Sequence, residues 1–326
     1  MIITRTPLRI SLGGGGTDIP SYYTRRQCGF LVAAAITRYI YVAAHENFDD
    51  AIFLKYSKIE RVPTVDEVSH PLLREVLKAN GIEGAIEISS MADIPAGTGL
   101  GSSGAFTVGV LRALSAYQHR YVPSGEIAAQ ACHIEIDVLG EPVGKQDQYI
   151  AAIGGLTAFR FNADGSVEST SVPIDQESRR ELEENLVLFF TGIRRSASSE
   201  LAALGEGTRM GDEDLMKNLD DVKAAGELTF ELLSNGRLHD FARQLTEQWR
   251  LKFDRAPTEV HQHVNTWIET GIDAGAVGGK LIGAGGGGFL LFYAEHKADL
   301  RKSMAEFGFR EVRIGFDYQG SQVVVA

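Results

Sequence analysis

The pattern of apolar and polar residues at the beginning of the chain predicts β-structure. Two short extended pieces, Ile2–Thr4 and Arg9–Leu12, are predicted on either side of Pro7. The segment Phe30–Ala44 is rich in Val, Ile, Tyr and Ala without helical spacing, so it predicts a strand with a turn near Thr37. The chain is therefore predicted to begin with strands rather than with a helix.

The rest of the first half predicts helices between strands. In Ser102–His119, apolar residues recur at every third or fourth position, which is the spacing of one helix face. A second helix is predicted at Ser124–Gly140, where the serine is a favourable N-cap and the glycine a typical C-terminal stop. The predicted strands are Ala85–Met91 and a hairpin of Leu156–Phe161 with Ser166–Val172.

The second half changes character and predicts longer helices. Its predicted elements are a strand at Leu186–Thr191, helices at Glu213–Ser234, Arg237–Phe253 and Thr258–Ala274, a strand at Phe289–Tyr293, a helix at Ala298–Phe307, and strands at Glu311–Phe316 and Gln322–Val325. The charged stretch Asp175–Glu184 is the best boundary, which divides the chain into predicted domains 1–180 and 181–326. The pattern predicts an α+β protein of two domains.

Glycine is the unusual feature of the composition. The chain has 36 glycines among 326 residues, and they concentrate at residues 13–16, 97–104 and 283–288. Consecutive glycines cost backbone entropy, so folded proteins keep them where positive φ angles or close backbone approach is needed. Three such clusters in one chain indicate a ligand that is held by backbone groups.

The charge balance excludes some partners. Lys and Arg number 32 and Asp and Glu 43, which gives a net charge of −11. We expect no nucleic-acid or membrane partner, because sequence-neutral binding to either needs basic patches. Cys28 and Cys132 have no redox or metal-binding spacing, and no targeting segment or membrane span is evident, so a cytoplasmic location is expected. Anionic small molecules remain compatible with a local cluster of amides and cations.

The second glycine cluster has the composition of a phosphate-binding loop. It runs from Pro95 to Gly104 and leads into a predicted helix, whose free N–H groups and dipole favour an anion. Ser102 and Ser103 can cap that helix or bind a Mg²⁺ ion on a phosphate. The alternative is an ordinary strand–loop–helix connection. The letters also match a dinucleotide fingerprint, but a helix follows where that fold needs a strand and an acidic residue.

Three carboxylates near the glycine clusters each have two interpretations. Asp18 ends the first cluster and can bind sugar hydroxyls, or it can cap a turn. Asp147 follows a turn at Gly144 and stands near Lys145, which suits a general base or an orienting group, or a solvated turn residue. Glu135 is predicted on a helix, where a surface charge is a simpler interpretation than a metal ligand. The residues alone leave these alternatives open.

Three motifs, taken in order, resemble those of the GHMP small-molecule kinases, which include galactokinase, homoserine kinase and mevalonate kinase. They are Pro-Leu-Arg…Gly-Gly-Thr-Asp at 7–18, Pro…Gly-Leu-Gly-Ser-Ser at 95–103, and Lys-Leu-Ile-Gly-Ala-Gly-Gly-Gly-Gly-Phe at 280–289. The resemblance implies a two-domain α+β kinase fold, with an N-terminal half like ribosomal S5 domain 2 and a ferredoxin-like C-terminal half. It also implies an ATP-dependent kinase whose site lies between the domains.

The resemblance implies roles for individual residues. Asp147 would act as base on the attacking hydroxyl, and Arg9 would stabilise charge on the transferred phosphoryl group. Ser103, with Ser102 as second choice, and Glu135 would hold Mg²⁺. The positions that would bind ATP are Pro95, Gly97, Gly99, Leu100, Gly101, Ser102, Ser103 and Gly104. The positions that would bind substrate are Arg9, Gly15, Gly16, Thr17, Asp18, Lys145, Arg195, Gly286 and Gly287.

The finer resemblance is to the sugar-1-kinase branch, and within it to kinases of D-glycero-D-manno-heptose 7-phosphate. It rests on the segments at 6–18 and 144–149 and on Phe-Thr-Gly-Ile-Arg-Arg-Ser-Ala at 190–197. Galactokinases carry Glu-His where this chain has Gly15 and Gly16, and the loss of two side chains makes room for a longer sugar. Candidate cations for a phosphate at its far end are Arg194, Arg195, Lys145, Arg250 and Lys252, with a surface role equally open for the last two.

Several alternatives share these features. A 1-kinase for an octose 8-phosphate, a fucose-like or a galactose-like sugar has the same motifs and differs only in pocket shape. A mevalonate-type kinase accounts less well for Asp18. A sugar-sensing protein descended from a kinase is expected to lack a catalytic or metal-binding residue, and a nicotinamide dehydrogenase is expected to bind NAD instead of ATP. A homodimer is left open.

Overall fold

The computed structural model describes residues 1–194, 198–255, 258–283 and 287–326. These residues form two β-sheets with helices packed on them, which confirms the predicted α+β class. The described strands are Ile2–Gly13 (β1), Cys28–Glu46 (β2), Ile52–Lys55 (β3), Ile59–Val62 (β4), Ile86–Ala92 (β5), Leu156–Asn162 (β6), Val167–Ser171 (β7), Leu186–Phe190 (β8), Gly278–Ile282 (β9), Phe289–Tyr293 (β10), Arg310–Val312 (β11) and Gln322–Val325 (β12). The described α-helices are Pro20–Tyr23 (α1), Pro71–Ala79 (α2), Ser102–Tyr117 (α3), Ser124–Cys132 (α4), Gln146–Ile153 (α5), Gln176–Asn185 (α6), Ser198–Met210 (α7), Glu213–Ser234 (α8), Leu238–Arg255 (α9), Glu259–Asp273 (α10) and Ala298–Glu306 (α11), with a 3₁₀ turn at Val65–Glu67 and a π-helical turn at His133–Val138.

The first sheet is built around two long strands. Its order is β12-β1-β2-β5-β3-β4, and β6 and β7 extend it from β2. The 19-residue β2 carries β6 beside its first half and β5 beside its second half, while β1 lies along its other edge. Because β1 ends at Gly13, the sheet fixes the position at which the first glycine cluster begins.

Both long strands are continuous, so the predicted break around Pro7 and the predicted turn near Thr37 are wrong. Pro7 pairs with Tyr39 and Leu8 pairs with Ile36, so two residues of β2 bulge at that step. A bulge leaves backbone positions without ladder partners, which suits a proline because it has no N–H to donate. The residues that suggest an interruption therefore mark an irregularity inside two long strands.

The helix α3 carries the second glycine cluster at its start, and its predicted position is confirmed. Its apolar face is buried, with Leu111 and Leu114 almost fully enclosed. Gly109 lets the helix approach β1 closely, because a Cβ there would lie 2.9 Å from Oγ1 of Thr6. The helix is thus seated on the first sheet with its N-terminus held near the end of β1.

The predicted helix Ser124–Gly140 is α-helical only as far as Cys132 and then continues as the π-helical turn. The wider turn changes which side chains face inward, and such turns are frequent at functional sites. Glu135 lies in this turn and is only 1% exposed. The local interpretation of Glu135 as a surface charge is therefore wrong.

The second sheet consists of four antiparallel strands in the order β11-β8-β10-β9. The charged stretch Asp175–Glu184 is mostly the helix α6, which Asp175 caps and buried Leu182 anchors, so it is not an open linker. The strands of the first sheet precede α6 in sequence and those of the second sheet follow it. The exception is β12, which follows α6 but pairs with β1. The division into residues 1–180 and 181–326 stays a prediction.

The two halves share one apolar core. It joins Leu8 and Leu12 of β1 to Phe241, Ile282 and Phe289 of the second half. None of the described helices has the length and apolar character that a membrane crossing requires. The shared core holds the ends of β1, α3 and β9 next to one another, and the site is built there.

Candidate active site

The loop in front of α3 has the backbone of an anion-binding site. Gly97, Gly99 and Gly101 have φ angles of 76°, 84° and 75°, which side chains with a Cβ rarely adopt. Alternating left-handed residues before a helix N-terminus direct amide groups and the helix dipole toward one point. The loop is tied to β1, because the amide of Arg9 donates to the carbonyl oxygen of Leu100 at 3.0 Å. Leu100 itself is buried, so only its backbone can take part.

The third glycine cluster lies directly against the second. A Cβ on Gly99 would lie 2.8 Å from the carbonyl oxygen of Ile282 and 3.1 Å from Cα of Gly283. A Cβ on Gly288 would lie 2.1 Å from the carbonyl oxygen of Thr98. The two clusters are glycine-rich because two backbones pass each other with no space for side chains. Gly287 borders this contact against Ile193, whereas Gly286 and Arg195 lie outside the described residues.

Arg9 and Asp147 form a two-pronged ion pair at the start of α3. Nε of Arg9 donates to Oδ1 of Asp147 at 2.7 Å, and Nη2 donates to Oδ2 at 3.0 Å. Nη1 of Arg9 donates to the carbonyl oxygen of Gly99. The arginine side chain is 7% exposed and the aspartate 28% exposed, so the carboxylate is the more accessible partner. A fork-to-fork pair of this kind fixes both planes and orients the carboxylate.

Two glycines of the second cluster make room for this pair. A Cβ on Gly101 would lie 3.0 Å from Cγ of Arg9 and 3.2 Å from Cγ of Asp147. A Cβ on Gly104 would lie 2.8 Å from Cβ of Asp147 and 3.0 Å from the amide nitrogen of Gln148. The loop that is predicted to hold phosphate and the predicted catalytic pair therefore touch each other.

Ser103 and Glu135 meet across two helices. Oγ of Ser103, which is exposed, donates to Oε2 of the buried Glu135 at 3.2 Å. Burial raises the pKa of Glu135, and the charge of Asp147 acts in the same direction. Among the described residues, Oε1 of Glu135 has no hydrogen-bond partner of good geometry. A hydroxyl and a carboxylate with a free oxygen are oxygen ligands of the type that Mg²⁺ prefers, so these residues fit the ion.

The first glycine cluster holds Asp18 against the loop before α5. The amide of Gln146 donates to Oδ2 of Asp18 at 3.0 Å, and the amide of Gly16 donates to Oδ1 at 3.2 Å. Asp18 is buried, and burial raises its pKa. Gly144 lets the loop come this close, because a Cβ there would lie 2.0 Å from Oδ2 of Asp18. Gly15 faces Ser11, whose Oγ would lie 3.2 Å from an added Cβ.

Thr17 stabilises the loop of the first glycine cluster through internal hydrogen bonds. Its hydroxyl lies 2.9 Å from the carbonyl oxygens of Gly14 and Phe30 and accepts a hydrogen bond from the amide of Phe30 at 3.1 Å. The residue is fully buried. Its hydroxyl is occupied by these internal bonds, so the expectation that Thr17 contacts substrate gives way to a role in holding the loop.

Three of the candidate cations interact with groups other than a substrate phosphate. Nζ of Lys145 donates to the carbonyl oxygen of Gly165 at 2.6 Å. Arg250 is exposed and pairs with Glu247 at 2.5 Å. Arg194 is exposed and lies over the ring of Phe190. The surface interpretation therefore holds for Arg250 but not for Lys252, which is partly buried and donates to the carbonyl oxygen of Gly283.

Two lysines extend the cationic character of the site: Lys252, which is one of the candidate cations from the sequence, and Lys280, for which the sequence motifs predict no role. Nζ of Lys280 is buried on β9 and donates to the carbonyl oxygen of Leu12 at 3.1 Å and to Gln248 at 3.0 Å. Burial lowers the pKa of Lys280 to about 7, with the nearby charges of Lys252 and Arg9 adding to the effect. The available signal is a lysine inside a short apolar strand, since lysine is rarely buried without a task. Burial also lowers the pKa of Lys252 to about 7, and Arg255 acts in the same direction.

We expect Lys252→Met to be more stable than the wild type at pH 7, by about 1 kcal/mol, because a partly buried cation that donates to a neutral backbone carbonyl is replaced by an apolar side chain of similar length. The folded-state pKa of about 7 lies below the value near 10.4 of the unfolded chain, so unfolding takes up a proton between these values. The wild type gains stability as the pH rises through this window. The difference in the free energy of unfolding between Lys252→Met and the wild type should therefore shrink. Urea denaturation at pH 7 and about pH 9 measures it, with exposed Lys302→Met as a control whose difference stays constant.

The comparisons with known proteins define the class and then the family. The chain matches the model of the GHMP kinases N terminal domain over residues 67–155 and that of the GHMP kinases C terminal over residues 229–309. A glycine loop before a helix, a carboxylate–guanidinium pair and a buried glutamate beside a serine together suit a phosphotransferase. The chain belongs to the GHMP kinases, and it is an ATP-dependent phosphotransferase with an alcohol acceptor.

Relatives of known activity show that it is a sugar kinase. It is 29% identical to D-glycero-alpha-D-manno-heptose 7-phosphate kinase of Campylobacter jejuni, over 90% of this chain and 89% of that one. It is 23% identical to galactokinase of Pyrococcus furiosus, over 99% of this chain and 97% of that one. A solved D-glycero-D-manno-heptose 1-phosphate kinase from Bacteriodes thetaiotaomicron has the same fold, with a TM-score of 0.82, 23% identity and coverage of 100% and 99%.

Proposed function

We propose that this sugar kinase transfers the γ-phosphoryl group of ATP to the anomeric hydroxyl of D-glycero-D-manno-heptose 7-phosphate, which yields the 1,7-bisphosphate and ADP. The observation that carries the proposal is the Arg9–Asp147 pair, held against the glycine loop by Gly101 and Gly104. This arrangement supports phosphoryl transfer to a hydroxyl. The similarity to D-glycero-alpha-D-manno-heptose 7-phosphate kinase of Campylobacter jejuni supports the choice of sugar.

Asp147 and Arg9 have complementary tasks in this reaction. The sugar O1 forms a bond to the γ-phosphorus, the bond from that phosphorus to the β,γ-bridging oxygen breaks, and the O1 proton passes to the carboxylate of Asp147. The guanidinium of Arg9 keeps that carboxylate oriented and stabilises negative charge on the oxygens of the transferred group. The amides of the loop at 97–101 hold the phosphates in line with the acceptor, because phosphoryl transfer depends mainly on position and charge.

Ser103 and Glu135 are the residues that we assign to Mg²⁺. When bound, the ion would neutralise charge on the nucleotide phosphates. The assignment rests on the unpartnered Oε1 of Glu135 and on its contact with Ser103.

We expect Glu135→Gln to raise the Mg²⁺ concentration that gives half-maximal activity by at least about 10-fold, because an amide is a weaker ligand than a carboxylate for a hard cation. Assays over a range of free Mg²⁺ at saturating nucleotide measure the change. The control is Glu126→Gln, on the exposed side of α4, which should leave the Mg²⁺ dependence unaltered. An unchanged Mg²⁺ requirement in Glu135→Gln would place the ion elsewhere.

Asp18 is the residue that we assign to the sugar hydroxyls. It is buried beside Gly16 and Gln146, and because Gly15 and Gly16 have no side chains, less of this region is filled than in a chain with Glu-His there, which suits a sugar longer than a hexose. An acceptor with seven carbons suits that space. The shape of this region, rather than the transfer chemistry, separates the heptose from an octose, a fucose-like sugar or a galactose-like sugar.

The test is an assay that couples ADP release to a colour change, with Mg-ATP and a panel of galactose, fucose, mannose, heptose and heptose 7-phosphate. We expect turnover that is confined to, or much faster with, heptose 7-phosphate. Phosphorus NMR of the product should show a new phosphate on C1. Faster turnover of galactose or fucose would assign a different sugar, and turnover of none of them would contradict the sugar assigned here.

A further inference from the structure

Arg255, in the last turn of α9, has a buried and unpartnered guanidinium nitrogen. Among the described residues, Nη1 is enclosed without a hydrogen-bond partner, and no ion pair to Arg255 is present. Burial lowers the pKa of Arg255 to about 10. A buried polar group without a partner costs about 1–3 kcal/mol, and more when it is charged, so its presence needs a reason. A bound anion would supply the missing acceptor.

The unpartnered nitrogen lies beside the loop that is assigned to the sugar. A Cβ on Gly16 would lie 3.9 Å from Nη1 of Arg255, and 3.5 Å and 3.7 Å from methyl carbons of Leu204 and Leu219. Any larger side chain at position 16 would extend further into the space beside this guanidinium. The absence of a side chain at Gly16 therefore keeps side-chain atoms of this loop away from Nη1 of Arg255.

The contacts place the groups in an order along the site. Asp147 follows Gln146 in the chain, and the amide of Gln146 donates to Asp18. Asp18 accepts a second bond from the amide of Gly16, which borders Arg255. A chain of contacts thus links the catalytic carboxylate, the hydroxyl-binding aspartate, the glycine and the guanidinium, in that order. A sugar that is phosphorylated at the end opposite its reacting hydroxyl presents its groups in the same order.

The charges around Arg255 also favour an anion. Lys252 lies three positions earlier on α9, on the same helix face, and like charges at this spacing repel each other. Arg9 adds a third positive charge near Lys252. The carboxylate that acts on Lys252 is Glu200, and its Oε2 has no hydrogen-bond partner among the described residues either. Arg9 is already paired with Asp147, so Glu200 is the carboxylate that remains for Lys252 and Arg255, and the region keeps a net positive charge.

We propose that Arg255, flanked by Lys252, binds the distal phosphate of the sugar substrate and that Gly16 leaves the space for it. The proposal rests on the function proposed above, because it supposes an acceptor that carries a phosphate at its far end. Among the other cations considered, Arg250 and Lys145 already have partners on the surface or in the backbone. Arg255 therefore determines specificity for a phosphorylated sugar without touching the reacting atoms.

The test compares heptose 7-phosphate with heptose, which differ only in the distal phosphate. Titration calorimetry without nucleotide should show that the wild type binds the phosphorylated sugar about 10- to 100-fold more tightly, because charge-assisted hydrogen bonds to phosphate are strong. Arg255→Gln should bind the two sugars within about 3-fold of each other while its affinity for heptose stays unchanged. Arg255→Lys should keep part of the preference, since it keeps a charge but loses the fork. The control is Arg250→Gln, which should behave as the wild type does.

Kinetics separate this proposal from the function on which it rests. Arg255→Gln should raise KM for heptose 7-phosphate with little change in kcat, and should leave turnover of heptose unaltered. Suppose that the wild type phosphorylates heptose 7-phosphate, but Arg255→Gln keeps the wild-type preference or weakens the binding of both sugars equally. The distal-phosphate site is then wrong, and the proposed reaction stands. If the wild type shows no preference between the sugars, the site is wrong even when both are phosphorylated. If the wild type neither binds nor phosphorylates either sugar, this result alone contradicts both proposals, without any variant.

Discussion

Asp147→Asn should lower kcat by about 10²- to 10⁴-fold, the usual contribution of a positioned proton acceptor. The amide has nearly the same shape as the carboxylate but accepts a proton poorly and carries no charge for Arg9. The bonds from Nε and Nη2 of Arg9 would lose an acceptor, so the guanidinium would also lose its fixed orientation. Nucleotide affinity should change little, because the loop at 97–101 is held by its own backbone and by β1. Steady-state kinetics with a fluorescent nucleotide titration would separate the two effects.

The matched control is Asp137→Asn. Asp137 is 65% exposed and pairs with His133 at 2.9 Å on the π-helical turn, so the same substitution there removes a surface charge only. Its kcat should equal that of the wild type. A kcat for Asp147→Asn within about 3-fold of the wild type would show that the carboxylate does not act on the acceptor proton, and would leave Arg9 and the proposed Mg²⁺ ion as the catalytic groups.

Gly101→Ala should lower kcat by about 10- to 100-fold and the free energy of unfolding by about 1–3 kcal/mol. The residue has a φ angle of 75°, at which a Cβ is strained. The added Cβ would also lie 3.0 Å from Cγ of Arg9 and 3.2 Å from Cγ of Asp147, so the pair must shift by a few tenths of an ångström. Small misplacements of reacting groups are costly because phosphoryl transfer relies on alignment. Chemical denaturation and steady-state kinetics measure the two effects.

Gly81→Ala separates strain from misalignment. Gly81 has a φ angle of 64°, and nothing lies within 4 Å of the position of its added Cβ. The substitution should therefore cost about 1 kcal/mol of stability with an unchanged kcat. Equal losses of kcat in Gly101→Ala and Gly81→Ala would mean that general destabilisation, rather than displacement of the Arg9–Asp147 pair, lowers activity.

The glycine clusters show how much of the site could be predicted from the local sequence pattern. Their density predicts glycines that adopt left-handed φ angles or allow close approach, and both occur: Gly97, Gly99 and Gly101 have left-handed φ angles, and Gly99 also lies against Gly283. The sequence could not distinguish these two uses, because a glycine is the same residue whether it avoids strain or avoids a collision. Only the contact between the second and third clusters assigns a reason to each position.

The sequence by itself determined the fold class and the main strands and helices, because apolar periodicity and glycine spacing are local properties of the chain. The family followed from the resemblance of its three motifs to those of known kinases. The partners of charged side chains were decided by the tertiary structure alone. Glu135 is buried in a π-helical turn. Lys252 contacts Gly283 and Arg255 lies beside Gly16, although their helix is more than 200 residues from Gly16 in sequence. Whether a charge meets solvent, a counter-charge or an open space depends on segments distant in sequence, and no local pattern contains that information.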